Sequence, residues 1–149
     1  MKKILFVHHG LGLGGAEMMR FILLKNMGTS RFIIKICCIG KKGILGQRLE
    51  NMGYSVDELS EDPNSLSPKI TYKLAKYFKK EKPDIIHSSL FNANFHCRIA
   101  GLLCRIPHMI CEEHGEHKQY VNLKFIPYIA SDFILSMVSR FIISCSDRL

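Results

Sequence analysis

The chain has 149 residues and a formal charge of +8, with 47% hydrophobic and 23% charged residues and neither an internal repeat nor a low-complexity tract. That length suits one domain whose core can bury roughly 70% of the surface its unfolded form exposes, so neither disulfides nor a structural metal is required and general disorder is excluded. The positive charge points to an anionic partner, whether nucleic acid, a membrane surface or a phosphate-bearing substrate, without choosing among them.

In chain order, Lys3 to His8 is a short run of β-formers bounded by glycines, and Ala16 to about Met27 carries Ala, Glu, Met and Leu without a breaker. This reads as strand, glycine loop, helix. Phe32 to Ile39 is apolar apart from Lys35, as in a strand buried on both faces. Ile44 to Met52 predicts a short helix stopped by Gly53, and Tyr54 to Leu59 a weaker strand. Ser67-Pro68 opens a helix through about Lys80, because serine suits the N-cap and proline the first helical position. After Pro83 comes a strand at Asp84 to His87, then a helix from Asn92 to Cys104 with Ile99, Leu102 and Leu103 on a shared face, then a strand at His108 to Glu112. A helix near Tyr128 to Ser139 and a strand at Phe141 to Cys145 complete the series. Strands alternating with helices predict an α/β fold with a doubly wound parallel sheet, Rossmann-like, whose ligands belong at the carboxyl ends of the strands. Ser146 and Asp147 resemble the cap of a further helix, so the β-α series is expected to continue past Leu149.

The cysteines, Cys37, Cys38, Cys97, Cys104, Cys111 and Cys145, lie mostly in apolar runs and read as reduced, buried thiols. The nearest approach to a metal cluster is Cys111, His114 and His117 around Glu112 and Glu113; no second ligand pair accompanies it, and no metal is expected. Ile4 to Val7 is too short for the apolar region of a signal peptide, and Phe125 to Ile143 is interrupted by Pro127, Asp132 and Arg140, so a cytoplasmic protein is expected. Lys69, Lys73, Lys76, Lys79, Lys80 and Lys82 concentrate on one helix, either as a solvated face or as a surface for an anionic bilayer.

The segment His8-His9-Gly10-Leu11-Gly12-Leu13-Gly14-Gly15-Ala16-Glu17 carries the first chemistry. A glycine-rich turn from strand to helix lets backbone N–H groups approach a phosphate, and the helix N-terminus adds partial positive charge, so diphosphate binding follows. Gly10, Gly12 and Gly15 also satisfy G-x-G-x-x-G, but the acidic residue expected at the end of the second strand is replaced by Gly40-Lys41-Lys42. Those lysines suit a 2′-phosphate, which leaves an NADP-dependent oxidoreductase open beside a purely structural turn. A non-catalytic binding domain is a further alternative, and sugar-nucleotide epimerisation on a related two-domain fold is another. Glu17 sits where an acidic group favours the helix N-terminus.

Gly14-Gly15-Ala16-Glu17, then Lys82-Pro83-Asp84-Ile85-Ile86-His87-Ser88-Ser89, then Glu113-His114-Gly115, and finally Phe141-Ile142-Ile143-Ser144-Cys145-Ser146 follow one another over nearly the whole chain. Together they resemble the N-terminal domain of the retaining glycosyltransferases of family 4, also called group 1. The resemblance implies a GT-B enzyme, with residues 1–149 forming its N-terminal, mainly acceptor-side half, truncated before its last helix, and with the nucleotide-sugar-binding C-terminal domain absent. It implies that Gly14 and Gly15 lie by the diphosphate of a UDP- or GDP-type sugar donor and that His114 stands in the cleft near the donor sugar. His87, Asn92 and Asn94 fall on the acceptor side, although Asn92 also suits a helix cap. Many members of the family carry a second histidine where this chain has Ser89. The implied reaction is transfer to a glycan or lipid-linked acceptor in cell-envelope polysaccharide biosynthesis, with retention and without a required metal. Neither a permanently bound cofactor nor nucleic acid is expected, and peripheral contact with an anionic membrane is left open.

Overall fold

A computed structural model describes residues 1–27, 31–114 and 141–144, together with 134 and 137. The expected helix at 128–139, His117, most of the apolar stretch 125–143 and the expected cap at Ser146 and Asp147 lie outside the described residues.

The elements run β1 (Lys2–His8), α1 (Gly15–Asn26), β2 (Phe32–Cys38), α2 (Gly43–Asn51), β3 (Ser55–Glu58), α3 (Pro68–Glu81), β4 (Ile85–Ser89), α4 (Phe91–Leu103), β5 (His108–Glu113) and β6 (Phe141–Ser144). The strands form one sheet in the order β3-β2-β1-β4-β5-β6, and every neighbouring pair is parallel. The order turns outward in opposite directions from β1 and β4, which makes the crevice between their carboxyl ends the switch point of the sheet.

Alternation along the strands divides the core into two layers. Leu5, Val7, Cys37, Ile39, Ile86 and Met109 face Ile70, Leu74 and Phe78 of α3 and Ala93, Cys97 and Ala100 of α4. Ile4, Phe6, Ile34, Ile36, Cys38 and Val56 face Leu24 of α1 and Leu45 and Leu49 of α2. Each fully buried aliphatic or aromatic side chain contributes about 1.5–3 kcal/mol by leaving water. β2 is less enclosed than its composition suggests, because Ile33 is exposed near its start and Lys35 reaches out to Glu81 at 3.0 Å.

The start of α3 follows the local chemistry: Ser67 Oγ accepts from Lys69 N at 3.3 Å, and Pro68 occupies the first turn. Pro83 and Asp84 then set the entry to β4. Asp84 accepts from Lys3 N at 2.8 Å and pairs with Lys2 Nζ at 2.7 Å, pinning β4 to β1 at the amino end of the sheet.

α4 departs from expectation in two ways. Ile99, Leu102 and Leu103 do not form its inner face: Leu102 and Leu103 are exposed, and Ala93, Cys97, Ala100 and Gly101 lie against the sheet. Small residues let the helix sit close, so that a Cβ at Gly101 would run into Met109 Sδ. Asn92, secondly, does not cap the helix. The cap is Leu90, at φ 74° and ψ 148°, and Asn92 Nδ2 instead donates to Pro63 O at 3.1 Å, tying α4 to the loop before α3.

Candidate functional site

The carboxyl end of the sheet gathers His8 from β1, His87 and Ser89 from β4, and Glu112 and His114 from the end of β5. Arg20 enters from α1, one turn before Leu24 on the stripe that packs onto the sheet, and only 2% of it is exposed. Its guanidinium lies 4.7 Å from the centre of the Phe6 ring and forms an ion pair with Glu112.

Glu112 is the hub of this cluster. Its Oε2 accepts from Arg20 and, at 3.0 Å, from Ser89 Oγ; His87 Nε2 approaches the same oxygen at 3.3 Å, and His114 Nε2 lies 3.1 Å from Oε1. Burial alone would raise its pKa, but the bond from His87, the Arg20 charge and the bond from Ser89 outweigh that and hold it down to about 2. An ionised carboxylate only accepts, so the Nε2–H tautomer of His87 and of His114 suits it, although Arg20 Nη2, itself a donor, also lies 3.2 Å from His87 Nε2. Arg20 Nη1 then donates to His87 Nδ1 at 3.2 Å, which requires that nitrogen to be unprotonated. The lowered pKa of His87, due first to burial, agrees with a neutral ring. His8 is held well below its usual range by burial and by Arg20, and its Nε2 has no hydrogen-bond partner among the described residues. The result is a buried, nearly charge-balanced cluster in which one carboxylate sets the orientation of two imidazoles.

The glycine loop divides by role. Gly10 has a backbone reason to be glycine, since a Cβ there would stand 2.7 Å from Lys41 O, and Gly43 has φ +59° beneath Leu11. Gly14 caps α1 with its carbonyl accepting from Met18 N at 2.9 Å, and a Cβ there would meet the Glu17 carboxylate folded back over it. Gly15 opens the helix and faces free space, with no atom within 4 Å of a Cβ position. This is unlike the dinucleotide fingerprint, whose third glycine permits close helix–strand packing. Of the two lysines that could have met a 2′-phosphate, Lys42 is held by Glu50 at 2.9 Å.

The structure therefore places His87 and His114 in one cluster, with Asn94 behind it. Asn94 is fully buried, and its Nδ2 donates to Glu112 O at 3.1 Å and to Glu113 Oε1 at 2.6 Å, so it supports β5 rather than facing an open cleft. Leu90 N also donates to Glu112 O at 3.0 Å, and its positive φ aims it there. Backbone strain of this kind, on the order of 1–3 kcal/mol, persists where surrounding contacts enforce it. Sequence reasoning missed Arg20, Glu112 as a hub, and Ser89. The available signal was a charge on each apolar stripe: Arg20 four residues before Leu24, and Glu112 two after Ile110. Cys111 points to the opposite face of the sheet from Glu112, against Ser88 Oγ at 3.6 Å, which separates it from His114. Among the described residues no group of three His, Cys, Asp or Glu side chains is arranged to hold a metal, and no helix is long and apolar enough to cross a membrane.

No protein-family model matches the sequence, and no curated protein does. Solved structures do. MurG from Acinetobacter baumannii is 13% identical with a TM-score of 0.67, covering 100% of this chain and 43% of that one. A UDP-GlcNAc 2-epimerase from Neisseria meningitidis bound to UDP-GlcNAc is 22% identical with a TM-score of 0.62, over 95% of this chain and 39% of the other. The lipopolysaccharide outer core galactosyltransferase WaaB is 18% identical with a TM-score of 0.55, over 74% and 32%. The chain thus spans less than half the length of the structures it matches, and at these identities the likeness defines the fold: a Rossmann-like α/β domain of GT-B type, corresponding to one half of such a molecule.

Proposed function

We propose that the chain is the N-terminal, mainly acceptor-side half of a nucleotide-sugar-dependent glycosyltransferase, completed by a C-terminal domain that grips most of the donor. It would transfer a sugar from a UDP- or GDP-type donor, with retention, to a glycan or lipid-linked acceptor in cell-envelope polysaccharide biosynthesis at the cytoplasmic face of the membrane. The observation that carries this reading is the Glu112 cluster at the sheet's switch point, with His114 among its members. Glycosyl transfer develops positive charge on the sugar and negative charge on the departing diphosphate, so fixed donors near the phosphate stabilise the transition state. The α1 N-terminus at Gly14 and Gly15 supplies backbone N–H groups for that purpose, and the space beside Gly15 admits a phosphate oxygen. His114, oriented by Glu112, is assigned to the donor sugar, and His87 to the acceptor side through the same carboxylate. Asn92 and Asn94 serve the acceptor side through the backbone they hold rather than by direct contact.

The test is a titration of the isotope-labelled chain with UDP-GlcNAc and GDP-mannose, followed by NMR and calorimetry. The expected result is millimolar binding with shifts concentrated at Gly14, Gly15 and His114. Sub-micromolar affinity overturns the half-site reading, and silence of those residues at millimolar ligand overturns the site. Nucleotide-sugar epimerisation is the second reading, favoured by the fold likeness to an epimerase bound to UDP-GlcNAc. In the complete protein it requires UDP-GlcNAc to be converted with no acceptor present.

A further inference from the structure

Helix α1 carries two things at once: the glycine loop at its start and, five residues after Gly15, the buried side chain of Arg20. At 1.5 Å per residue the two lie about 7.5 Å apart along one rigid rod. The rod is fastened in both halves. Tyr54 Oη donates to Leu24 O at 2.6 Å and holds the carboxyl-terminal half, where Leu24 is also fully buried. The half that bears Gly14 and Gly15 is tied to β4 and β5 by Arg20, while Met18, Met19 and Ile22 on its outer side are exposed.

Glu112 receives that tie from one direction and its backbone support from the other. Leu90 N and Asn94 Nδ2, both at the start of α4, hold Glu112 O at 3.0 and 3.1 Å. Its carboxylate is aimed from the α1 side. Arg20 pairs with Oε2, and Ser89 Oγ, which accepts from Arg20 Nη2 at 2.7 Å, donates to the same oxygen at 3.0 Å. The other oxygen, Oε1, lies 3.1 Å from His114 Nε2. A carboxylate gripped at one oxygen by a guanidinium and a hydroxyl has little rotation left, so the ring bonded to its second oxygen has a fixed direction.

We infer that Arg20 is a positioning residue: it locks the His114 ring through Glu112 and, because it belongs to α1, sets the distance from that ring to the loop at Gly14 and Gly15. The inference rests on the transferase reading for its catalytic purpose, whereas the tie itself is a property of this chain without ligand. Arg20→Lys isolates the geometry from the charge. It keeps the cation but replaces a planar fork by a single ammonium, which loses the paired grip on Ser89 and Glu112.

Imidazole N–H signals of the isotope-labelled chain, recorded without ligand, test the tie. Only 8% of the His114 side chain is exposed, so its Nε2–H should be protected from solvent exchange. Arg20→Lys should speed that exchange roughly tenfold, the effect of losing about one charge-assisted hydrogen bond. His96 Nε2, which donates to Ser65 O at 2.9 Å on the opposite face of the sheet, is the internal control and should not move. Ser89→Ala leaves both charges in place; it should give a smaller change of the same sign, and it decides the matter if Arg20→Lys does not fold. In the complete enzyme Arg20→Lys should lower kcat roughly 10- to 100-fold with the KM for the nucleotide sugar within about twofold, since a misplaced ring costs turnover. An unprotected His114 ring in the unaltered chain, ring signals indifferent to both variants, equal loosening of His96, or a raised KM at unchanged kcat would each overturn the proposal. If Gly14 and Gly15 stay silent toward UDP-GlcNAc while the ring signals respond, it is the transferase reading that fails, and the catalytic purpose of Arg20 with it.

Discussion

Arg20 joins α1 to β4 and β5 through Ser89, His87 and Glu112, with its charge removed from water. Replacing it with Met leaves the Glu112 carboxylate without its cation, which should cost about 3–5 kcal/mol in urea unfolding. The double variant Arg20→Met, Glu112→Gln should recover a large share of that loss. If the two single changes simply add, the pair is not coupled. Gly15 makes the opposite kind of prediction. A Cβ there meets nothing, so in the complete enzyme Gly15→Val should leave the melting temperature nearly unchanged. The branched side chain would instead occupy the approach of the diphosphate, and loss of one well-aimed donor lowers kcat/KM by roughly 100- to 1000-fold. Near-normal turnover would make the loop a turn and nothing more.

At the scale of elements, α3 is the helix whose start the sequence specifies most completely. Ser67→Ala removes the acceptor for Lys69 N and should destabilise the chain by about 1 kcal/mol, read as a lower urea midpoint at unchanged slope. The same helix is fastened to α4 by Thr71, whose hydroxyl lies 2.7 Å from His96 Nδ1, while His96 Nε2 donates to Ser65 O at 2.9 Å. That arrangement fixes Thr71 as the donor, and burial lowers the His96 pKa to keep Nδ1 available. Protonation of His96 would therefore break the tie between α3 and α4.

For the whole molecule these groups predict how stability follows pH. Burial depresses His8, His87 and His96 below the ordinary histidine value of 6.5. Each contributes stability that is present above 6.5 and is lost as pH falls through its folded value. Glu112 acts in the same direction lower down: its contribution is complete above 4.5 and disappears as pH falls toward about 2. The drop across that lower window is on the order of 3 kcal/mol. Urea midpoints should thus decline from neutrality downward in two stages, and Glu112→Gln should flatten the second. A midpoint that rises between pH 7 and pH 5 would contradict the histidine assignment.

The order of elements was legible in the residues because the signals are local. Phe32 to Ile39, Ser67-Pro68 and the Gly10 to Gly15 loop each declare strand, cap or turn through neighbours a few positions away, and alternation alone implied a parallel sheet. The placement of His114 at the carboxyl end of that sheet followed, since it comes where β5 finishes, whereas β4 runs two residues past His87 to Ser89. What surrounds them did not. Arg20 and Glu112 are 92 residues apart, and only folding around the sheet makes them partners. The facing of α4 likewise depended on its presenting Cys97, Ala100 and Gly101 inward and Leu103 outward, against the hydrophobic ranking of those residues. Helix period fixes which residues share a stripe, but it does not say which stripe meets the sheet. That was decided by how closely the backbone of α4 must approach Met109 and Ile86, a distance belonging to the assembled layers.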